Sequence, residues 1–299
     1  MSFVERLTAA LKAKNLSDGT VSLYLRNLKK LNGDVPLTSF KYLQNIDDVL
    51  QKIAPLALNT QRSYLISVVS SLNTDMGSPK GLSKKYYDHM ISKNKEVREV
   101  PSSKLSTVQR DNWCKWEDVV TKRDELKEQL QKWLKPRKAS GPVDWDLMLK
   151  YLVLCLYTMV PPRRNKDYID MLLKPSDTEN YIDMKKREFV FNDYKTSKTY
   201  GSQIIQIPDE LFNVLSKLLR YHPGGAHLLV DPQGAPLNGV NGMTRLLNRI
   251  FQKRISSSML RHIYLTDKYG DVTKEREKDA EAMGHSMGTQ TAYVKEAEA

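Results

Sequence analysis

The longest apolar run of the chain extends from Leu147 to Pro162 and is interrupted by a single lysine. A helix with so few polar residues on any face must be buried on all sides. Pro161-Pro162 ends this helix, because proline lacks a backbone N–H and clashes with the preceding turn. The run is also too short to span a membrane. We therefore predict a buried central helix that is followed at once by the basic pair Arg163-Arg164.

Residues 1–95 repeat the pattern of an amphipathic helix. Phe3, Leu7 and Leu11 recur at helical spacing, and comparable apolar stripes follow within 21–31 and 61–72. Ser17 or Asp18 precedes the second stripe and is suited to cap its helix. Short turns separate about four such helices, so we predict a small helical domain. Its stripes form the core, and its basic faces are candidate phosphate contacts.

Glycine, proline and serine residues interrupt a basic segment between positions 76 and 106. This composition is typical of an interdomain linker, and a chain of 299 residues suits two domains better than one. We predict a helical domain over 1–95, a linker over 96–109 and a second domain over 110–299. A linker between two DNA-contacting domains would let the chain wrap around a duplex; the alternative is a plain tether.

The hydrophobic period changes in the second half of the chain. Three short segments rich in β-branched or aromatic residues predict strands over Tyr181–Met184, Glu188–Asn192 and Gln203–Ile207. The segment 193–201 between the last two is predicted to form the tip of a hairpin.

Helical patterns then return over four segments: Glu210–Tyr221, Gly239–Lys253, Ser258–Tyr269 and Lys274–Met283. The predicted fold class is therefore mainly α with a small antiparallel β-sheet (α+β).

The charge of the chain indicates a polyanionic partner. The formal net charge is +12 and the pI is about 9.4. Residues 1–110 hold 17 Lys/Arg and 9 Asp/Glu, so a surplus of 8 lies in the first third. The alternative is a soluble basic protein with solvated charged faces.

Other classes of site lack a sequence signal. We find no Walker loop, no HExxH pattern and no metal-ligand spacing of cysteines, so no cofactor and no metal are predicted. The two cysteines, Cys114 and Cys155, suggest free thiols in a reducing compartment. Charges in the first 15 residues are unlike a signal peptide. We therefore expect an intracellular protein that is neither secreted nor bound to a membrane.

Several residues of the second half suit phosphodiester cleavage. Without a metal, this reaction needs a nucleophile, cations that neutralise the pentavalent phosphate, and an acid for the leaving oxygen. Arginine forks match phosphate oxygens, and a lysine on a hairpin can reach a leaving group. The candidates for these roles are Arg164, Lys195 or Lys198, Arg261, His285 and Tyr293.

The order and spacing of these residues resemble the tyrosine recombinase/integrase family. Arg164 with Asp167 resembles the family's first arginine and the acidic residue that follows it; Arg163 is the alternative register. Leu260-Arg261-His262 resembles the second arginine with its following histidine. Met283-Gly284-His285-Ser286 resembles the family's Leu-Gly-His-Ser turn, and the lone tyrosine follows eight residues after His285. Pro-Pro-Arg-Arg-Asn and Tyr-Lys-Thr are most similar to integrases of eukaryotic DNA viruses and mobile elements.

This resemblance implies a DNA recombinase with a helical core-binding domain and a catalytic domain. Tyr293 would form a 3′-phosphotyrosyl link, Arg164 and Arg261 would hold the phosphate, and His285 would support its geometry. Lys195, favoured over Lys198, would protonate the leaving oxygen. The implied partners are double-stranded DNA and other copies of the chain, as a tetramer on paired sites.

Two features depart from the family pattern. Ser258 occupies the place of a histidine, and a hydroxyl cannot accept a proton near neutral pH as imidazole can. Only six residues follow Tyr293, whereas family members often dock a C-terminal helix on a neighbour. Exchange between subunits would then use the tyrosine segment itself, or assembly would be weak.

Alternative interpretations remain open from sequence. A type IB topoisomerase uses the same chemistry, and a non-catalytic DNA-binding protein on the same scaffold would fit Ser258. Tyr264 and Tyr269 are rival nucleophiles that we expect to pack inside the domain. His262 is either a core residue or a participant in the site. The helix before the second arginine carries a basic face that either contacts DNA or is solvated: Arg245, Arg249, Lys253 and Arg254.

Overall fold

The computed structural model describes residues 1–99, 105–134, 144–237 and 239–294. The chain separates into two compact units, Met1–Leu105 and Ser106–Ala299. Each unit has a hydrophobic core of its own. The boundary between the units lies inside the segment 96–109, which the sequence predicts as a linker.

The described part of the first unit is helical. Ser2 and Glu5 form a reciprocal capping box at the start of the first helix, and Ser17 rather than Asp18 caps the second helix. A 3-10 turn at Lys41–Gln44 precedes the third helix. The helices are α1 (Phe3–Ala13), α2 (Asp18–Leu31), α3 (Ile46–Ile53), α4 (Leu58–Leu72) and α5 (Leu82–Glu99).

Helix α5 corrects the predicted extent of the linker. Leu82 and Tyr86 of α5 are buried in the core of the first unit, and the Tyr86 hydroxyl donates to the Leu43 carbonyl oxygen at 2.8 Å. The helix-breaking residues of 76–106 cluster at its two ends, which leaves 82–99 free to continue as a helix. Residues 76–99 therefore belong to the helical unit, and 100–104 lie outside the described residues.

The second unit combines helices with one sheet. Its strands are β1 (Tyr181–Asp183), β2 (Glu188–Phe191) and β3 (Gln203–Gln206). Its helices are α6 (Thr107–Asn112), α7 (Trp116–Leu134), α8 (Trp145–Thr158), α9 (Asn165–Ile169), α10 (Ser197–Tyr200), α11 (Asp209–Leu218), α12 (Gly239–Phe251), α13 (Ser257–Ala282) and α14 (Met287–Tyr293). A 3-10 turn at Leu219–Tyr221 extends α11.

The sheet confirms the predicted strands and the α+β fold class. Its order is β1-β2-β3, with both pairs antiparallel. Ile182 opposes Phe189, which in turn opposes Ile205. The β2–β3 connection differs from the prediction of a simple tip, because it contains the short helix α10.

Helix α8 is the centre of the second core. Ten of its residues are buried, including Leu152 and Leu154, which have no exposed surface, so the predicted buried helix is confirmed. Trp145 at its start donates its indole N–H to the Val230 carbonyl oxygen at 2.9 Å. Burial raises the pKa of the Cys155 thiol to about 12, so this thiol is neutral and chemically inert at neutral pH.

Helix α13 replaces two predicted helices. The sequence predicts a break between Tyr269 and Lys274, but one continuous helix of 26 residues spans the region. Gly270 provides the apparent break, yet glycine only weakens a helix and does not end it as proline does. The helix ends at Ala282, and Gly284 follows its cap residue. The φ of 70° at Gly284 allows a Schellman turn, in which the His285 amide donates to the Ala280 carbonyl oxygen.

No helix in the described residues is long and apolar enough to cross a membrane. The same residues hold no group of three or more His, Cys, Asp or Glu side chains arranged for a metal ion.

The buried position of α8 makes its leucines sensitive to truncation. Leu152→Ala should lower the free energy of unfolding by about 2–5 kcal/mol, because a cavity replaces a fully buried side chain. All four tryptophans lie in the second unit, so tryptophan fluorescence during urea denaturation measures this unit. Leu265→Ala is the matched control, since Leu265 is 51% exposed. Equal losses in the two variants would contradict this description of the core.

Candidate active site

The end of α8 places two arginines side by side with different surroundings. Pro161 and Pro162 hold the chain extended after the helix, and Arg164 becomes the N-cap of α9 with φ −74° and ψ 155°. In extended backbone, successive side chains point in opposite directions. The structure accordingly directs the two arginines to different partners.

Arg163 forms its contacts with other residues of the domain. Its Nε donates to Asp167 Oδ2 at 2.9 Å, and one terminal nitrogen donates to Gln203 Oε1 at 3.1 Å. Its guanidinium lies 3.7 Å from the centre of the Phe191 ring. The side chains of the ion pair are only 16% and 3% exposed. The acidic residue therefore pairs with Arg163, four residues earlier, and this spacing is the sequence signal for that contact.

Arg164 and Arg261 line one open cavity of about 270 Å³, together with Pro162, Arg163, Asp167, Tyr194, Thr196, Tyr200 and Gln203. The cavity is smaller than the pockets of about 300–1,000 Å³ that hold drug-sized ligands. Its walls come from the α8–α9 connection, the β2–β3 hairpin and the start of α13. A small space faced by two neighbouring guanidinium groups suits an oxyanion.

The pKa and the hydrogen bonding of Arg261 reflect its position beside Arg164. Burial, and then the nearby charge of Arg164, lowers the pKa of Arg261 below its usual value. One of its terminal nitrogens donates to Ser258 Oγ at 3.0 Å. Its Nε is buried and has no hydrogen-bond partner among the described residues. A buried donor without a partner is costly, and an anion in the cavity would supply one.

Tyr157 belongs to a buried polar network that the sequence does not indicate. The Tyr157 hydroxyl donates to Asn165 Oδ1 at 3.3 Å, and Asn165 Nδ2 donates to Thr244 Oγ1 at 3.2 Å. Burial raises the pKa of Tyr157, while its hydrogen bond with Ser257 and the charge of Arg261 oppose that rise. The network joins α8, α9, α12 and α13. Its members are single polar residues in apolar patterns, which give no distinct sequence signal.

The hairpin lysines lie outside the cavity lining. Lys195 and Lys198 are both exposed, and neither is among the described residues that line the cavity. The hairpin itself is anchored, because the buried Tyr194 donates its hydroxyl to the Gly201 carbonyl oxygen at 2.8 Å. Lys195 directly follows this anchor, whereas Lys198 lies on α10.

His285 and Tyr293 form a second cluster. Their ring centres are 5.7 Å apart with an interplanar angle of 40°. Both ring nitrogens of His285 are buried and have no hydrogen-bond partner in the described residues. Tyr293 is the last residue of α14 and is 67% exposed.

Helix α13 separates the two clusters. Arg261 is near its first turn and His285 follows its last turn. An α-helix rises 1.5 Å per residue, so the path from Arg261 to Ala282 is about 30 Å. The five residues predicted to converge are therefore not brought together within one chain. The two arginines share a cavity, and the tyrosine and the histidine lie at the far end of the helix.

The structure also shows the surroundings of the alternative site residues near Arg261. Tyr264 packs edge-on against Trp116 with ring centres 5.1 Å apart, as expected for a residue inside the domain. Tyr269 is 48% exposed, so the expectation that it packs inside was wrong. His262 is exposed and is not a core residue. Ile263 is buried, whereas residues 265–269 are all exposed.

The four residues of the predicted basic face border two further cavities. Arg245 and Arg249 lie on α12, whereas Lys253 and Arg254 follow its end at Phe251. Arg245 and Arg249 line one of about 400 Å³, and Lys253 and Arg254 line another of about 460 Å³. Asn248 lines both, and its Oδ1 is buried without a hydrogen-bond partner in the part of the chain that is described.

Comparison with known proteins finds a likeness among solved structures. No protein-family model matches the chain, and no curated protein matches it significantly. The chain is similar to the crystal structure of XerA recombinase, with 13% identity over 99% of this chain and 93% of that one and a TM-score of 0.36. These values assign the chain to no family.

The Arg163–Asp167 pair offers a test of how the cavity is built. Arg163→Ala should lower the free energy of unfolding by about 3 kcal/mol or more, because it leaves the Asp167 carboxylate buried without its partner. Urea denaturation followed by tryptophan fluorescence measures the change. Lys274→Ala is the control, since the Lys274–Asp271 pair is exposed at 72% and 95%. A loss no larger than that of the control would show that Arg163 does not brace the cavity.

Proposed function

We propose that this protein is a tyrosine recombinase that cuts and rejoins DNA strands through a 3′-phosphotyrosyl intermediate. The observation that carries the proposal is the cavity shared by Arg164 and Arg261. Two guanidinium groups held together at the cost of mutual repulsion need an anion between them. A phosphodiester is the anion that the basic surface of the chain would bring to this place.

The proposed step is in-line displacement at phosphorus. The Tyr293 oxygen attacks the scissile phosphate, and its bond to phosphorus forms as the bond from phosphorus to the 5′ oxygen breaks. The tyrosine proton passes to His285, whose ring lies against Tyr293. Lys195 gives a proton to the leaving 5′ oxygen. Arg164 and Arg261 neutralise the charge that develops on the non-bridging oxygens.

Rejoining reverses this step. A 5′ hydroxyl attacks the phosphotyrosyl ester, and Tyr293 leaves as a phenol after it recovers its proton. The ester conserves the energy of the broken bond, so the proposed cycle consumes no ATP. If the incoming hydroxyl belongs to a second duplex, the result is strand exchange; if it belongs to the same duplex, the result is relaxation.

Trapping of the covalent intermediate tests the proposal. The substrate is a pool of nicked duplexes with randomised sequence beside the nick and a label at the 5′ end of the scissile strand. Cleavage near the nick releases a short fragment and leaves labelled DNA on the protein in denaturing gels. Wild type should form this adduct, and Tyr293→Phe should form none because it lacks the attacking oxygen.

Tyr87→Phe is the matched control, since it removes an exposed hydroxyl from α5, away from the residues proposed to react. This variant should form the adduct at the wild-type level. Absence of adduct with wild type, or an adduct with Tyr293→Phe, would refute the proposed chemistry.

A DNA-binding protein without cleavage activity is the second candidate. The separation of Tyr293 from the two arginines favours it, as does Ser258 in the place of a histidine. It predicts salt-dependent DNA binding with no adduct from any member of the substrate pool.

Phosphate contacts on α12 would appear in the salt dependence of binding. Arg245→Ala should weaken binding for all sequences alike and reduce the slope of log Kd against log salt by about 1. Fluorescence anisotropy with a labelled duplex at several salt concentrations measures both effects. Arg187→Ala is the control, because Arg187 already pairs with Asp209 at 2.9 Å. An unchanged slope for Arg245→Ala would show that this face is solvated.

A further inference from the structure

Arg164 and Arg261 are carried by two different segments of the second unit. Arg164 lies between α8 and α9, whereas Arg261 lies in the second turn of α13. Burial and the nearby charge of Arg164 both lower the pKa of Arg261, so bringing the two groups together without an anion costs free energy. Other contacts must therefore hold the two segments in place.

The hydroxyl of Tyr157 contacts both of these segments. It donates to Asn165 Oδ1 at 3.3 Å, and Asn165 is the residue directly after Arg164. The same hydroxyl shares a hydrogen bond with Ser257, the first residue of α13. One hydroxyl group thus connects the segment of Arg164 to the segment of Arg261.

The first turns of α13 carry this connection from Ser257 to the guanidinium. Ser257 and Arg261 are four residues apart, so they lie one above the other on the same side of the helix. Ser258 follows Ser257, and its Oγ accepts a hydrogen bond from a terminal nitrogen of Arg261 at 3.0 Å. Movement of Ser257 relative to Tyr157 would therefore move Arg261 as well.

Burial makes the hydrogen bonds of Tyr157 specific. The Tyr157 side chain has no exposed surface, and Asn165 and Ser257 are also buried. A buried polar group that loses its partner is costly, so these three side chains strongly favour the arrangement in which they meet. The ring of Tyr157 packs edge-on against Tyr168 with ring centres 5.7 Å apart, which restricts the direction of its hydroxyl.

We propose that Tyr157 is a positioning residue that sets the separation of Arg164 and Arg261 for an oxyanion by holding Asn165 and Ser257 on one hydroxyl. Tyr157 is not among the described residues that line the cavity, so it acts through these neighbours. The inference rests on the proposed function for its role in cleavage, because the phosphate between the arginines is the one that would react. The positioning itself requires only an oxyanion and can be measured without cleavage.

Inorganic phosphate is the probe for the first test. Nε of Arg261 is buried and has no hydrogen-bond partner among the described residues, so its side-chain NMR signal should shift when phosphate enters the cavity. Arg261→Lys identifies this signal by removing it. Because the signal comes from one residue, phosphate bound elsewhere on this basic chain does not enter the measured affinity.

Tyr157→Phe removes the hydroxyl and keeps the ring. This variant should weaken the phosphate affinity measured at Arg261 by roughly three- to tenfold, the range expected for the loss of one hydrogen bond of ordinary net strength. An unchanged affinity, or a wild-type signal that phosphate does not shift, would overturn the proposal.

Tyr168→Phe is the matched control for the lost hydroxyl. Tyr168 is equally buried, and its hydroxyl donates to the Leu156 carbonyl oxygen at 3.2 Å, a contact that involves neither Asn165 nor Ser257. Urea denaturation should show comparable losses of stability in the two variants, yet Tyr168→Phe should bind phosphate as wild type does. Equal losses of phosphate affinity in both variants would show that Tyr157 has a structural role alone.

Ser257→Ala tests whether the hydroxyl acts through α13. The N-cap of this helix is Ser256, so the substitution leaves the cap intact. Because Tyr157→Phe already removes the bond to Ser257, the double variant should bind phosphate as weakly as Tyr157→Phe alone. Losses that multiply in the double variant would show that the two residues act separately, which contradicts the proposed connection.

The nicked duplex pool relates the positioning to the reaction. With saturating protein, Tyr157→Phe should slow adduct formation by a factor similar to its loss of phosphate affinity, while Kd for the duplex stays unchanged. If wild type forms no adduct but the phosphate affinities differ as expected, the positioning stands and the proposed chemistry fails. If wild type forms the adduct and Tyr157→Phe forms it at the same rate as Tyr168→Phe, the positioning is refuted and the chemistry stands.

Discussion

The buried ion pair between Arg163 and Asp167 is the contact on which the site depends. It joins the α8–α9 connection to the sheet, since the same guanidinium covers Phe191 and bonds Gln203. Burial of two charges is costly unless their hydrogen bonds are satisfied. The face of the Phe191 ring and the amide oxygen of Gln203 provide further partners for the Arg163 guanidinium. With Arg163 held by these contacts, Arg164 remains to line the cavity beside Arg261.

Much of the scaffold could be predicted from sequence. Short runs of β-branched and aromatic residues bounded by polar turns revealed all three strands, and each observed strand ends one residue earlier than predicted. The Leu147–Val160 run indicated the central helix, because only complete burial explains its composition. The arginine pair was also found, since its residues follow a helix that must end at Pro161.

The rest depended on contacts that no local pattern encodes. Gly270 and Asp271 suggested a turn, yet neighbouring residues have enough helix propensity to continue through them. The positions of His285 and Tyr293 follow from that single difference. Tyr157 and Asn165 meet only after α8 and α9 have packed. The glycine-rich stretch at 77–81 is typical of a linker, but it directly precedes a helix of the first core.

The continuity of α13 has a consequence for orientation as well as for reach. A helix turns 100° for each residue that it adds, so it fixes the direction in which its far end faces. The helix thereby fixes the angle about its axis between Arg261 and the turn at His285. Insertion of a single residue between them would change the reach by about 1.5 Å but rotate the far end by roughly a quarter of a turn. Insertion of seven residues would nearly preserve the phase. A change in the number of residues in α13 therefore alters the orientation of its far end more strongly than the distance that it spans.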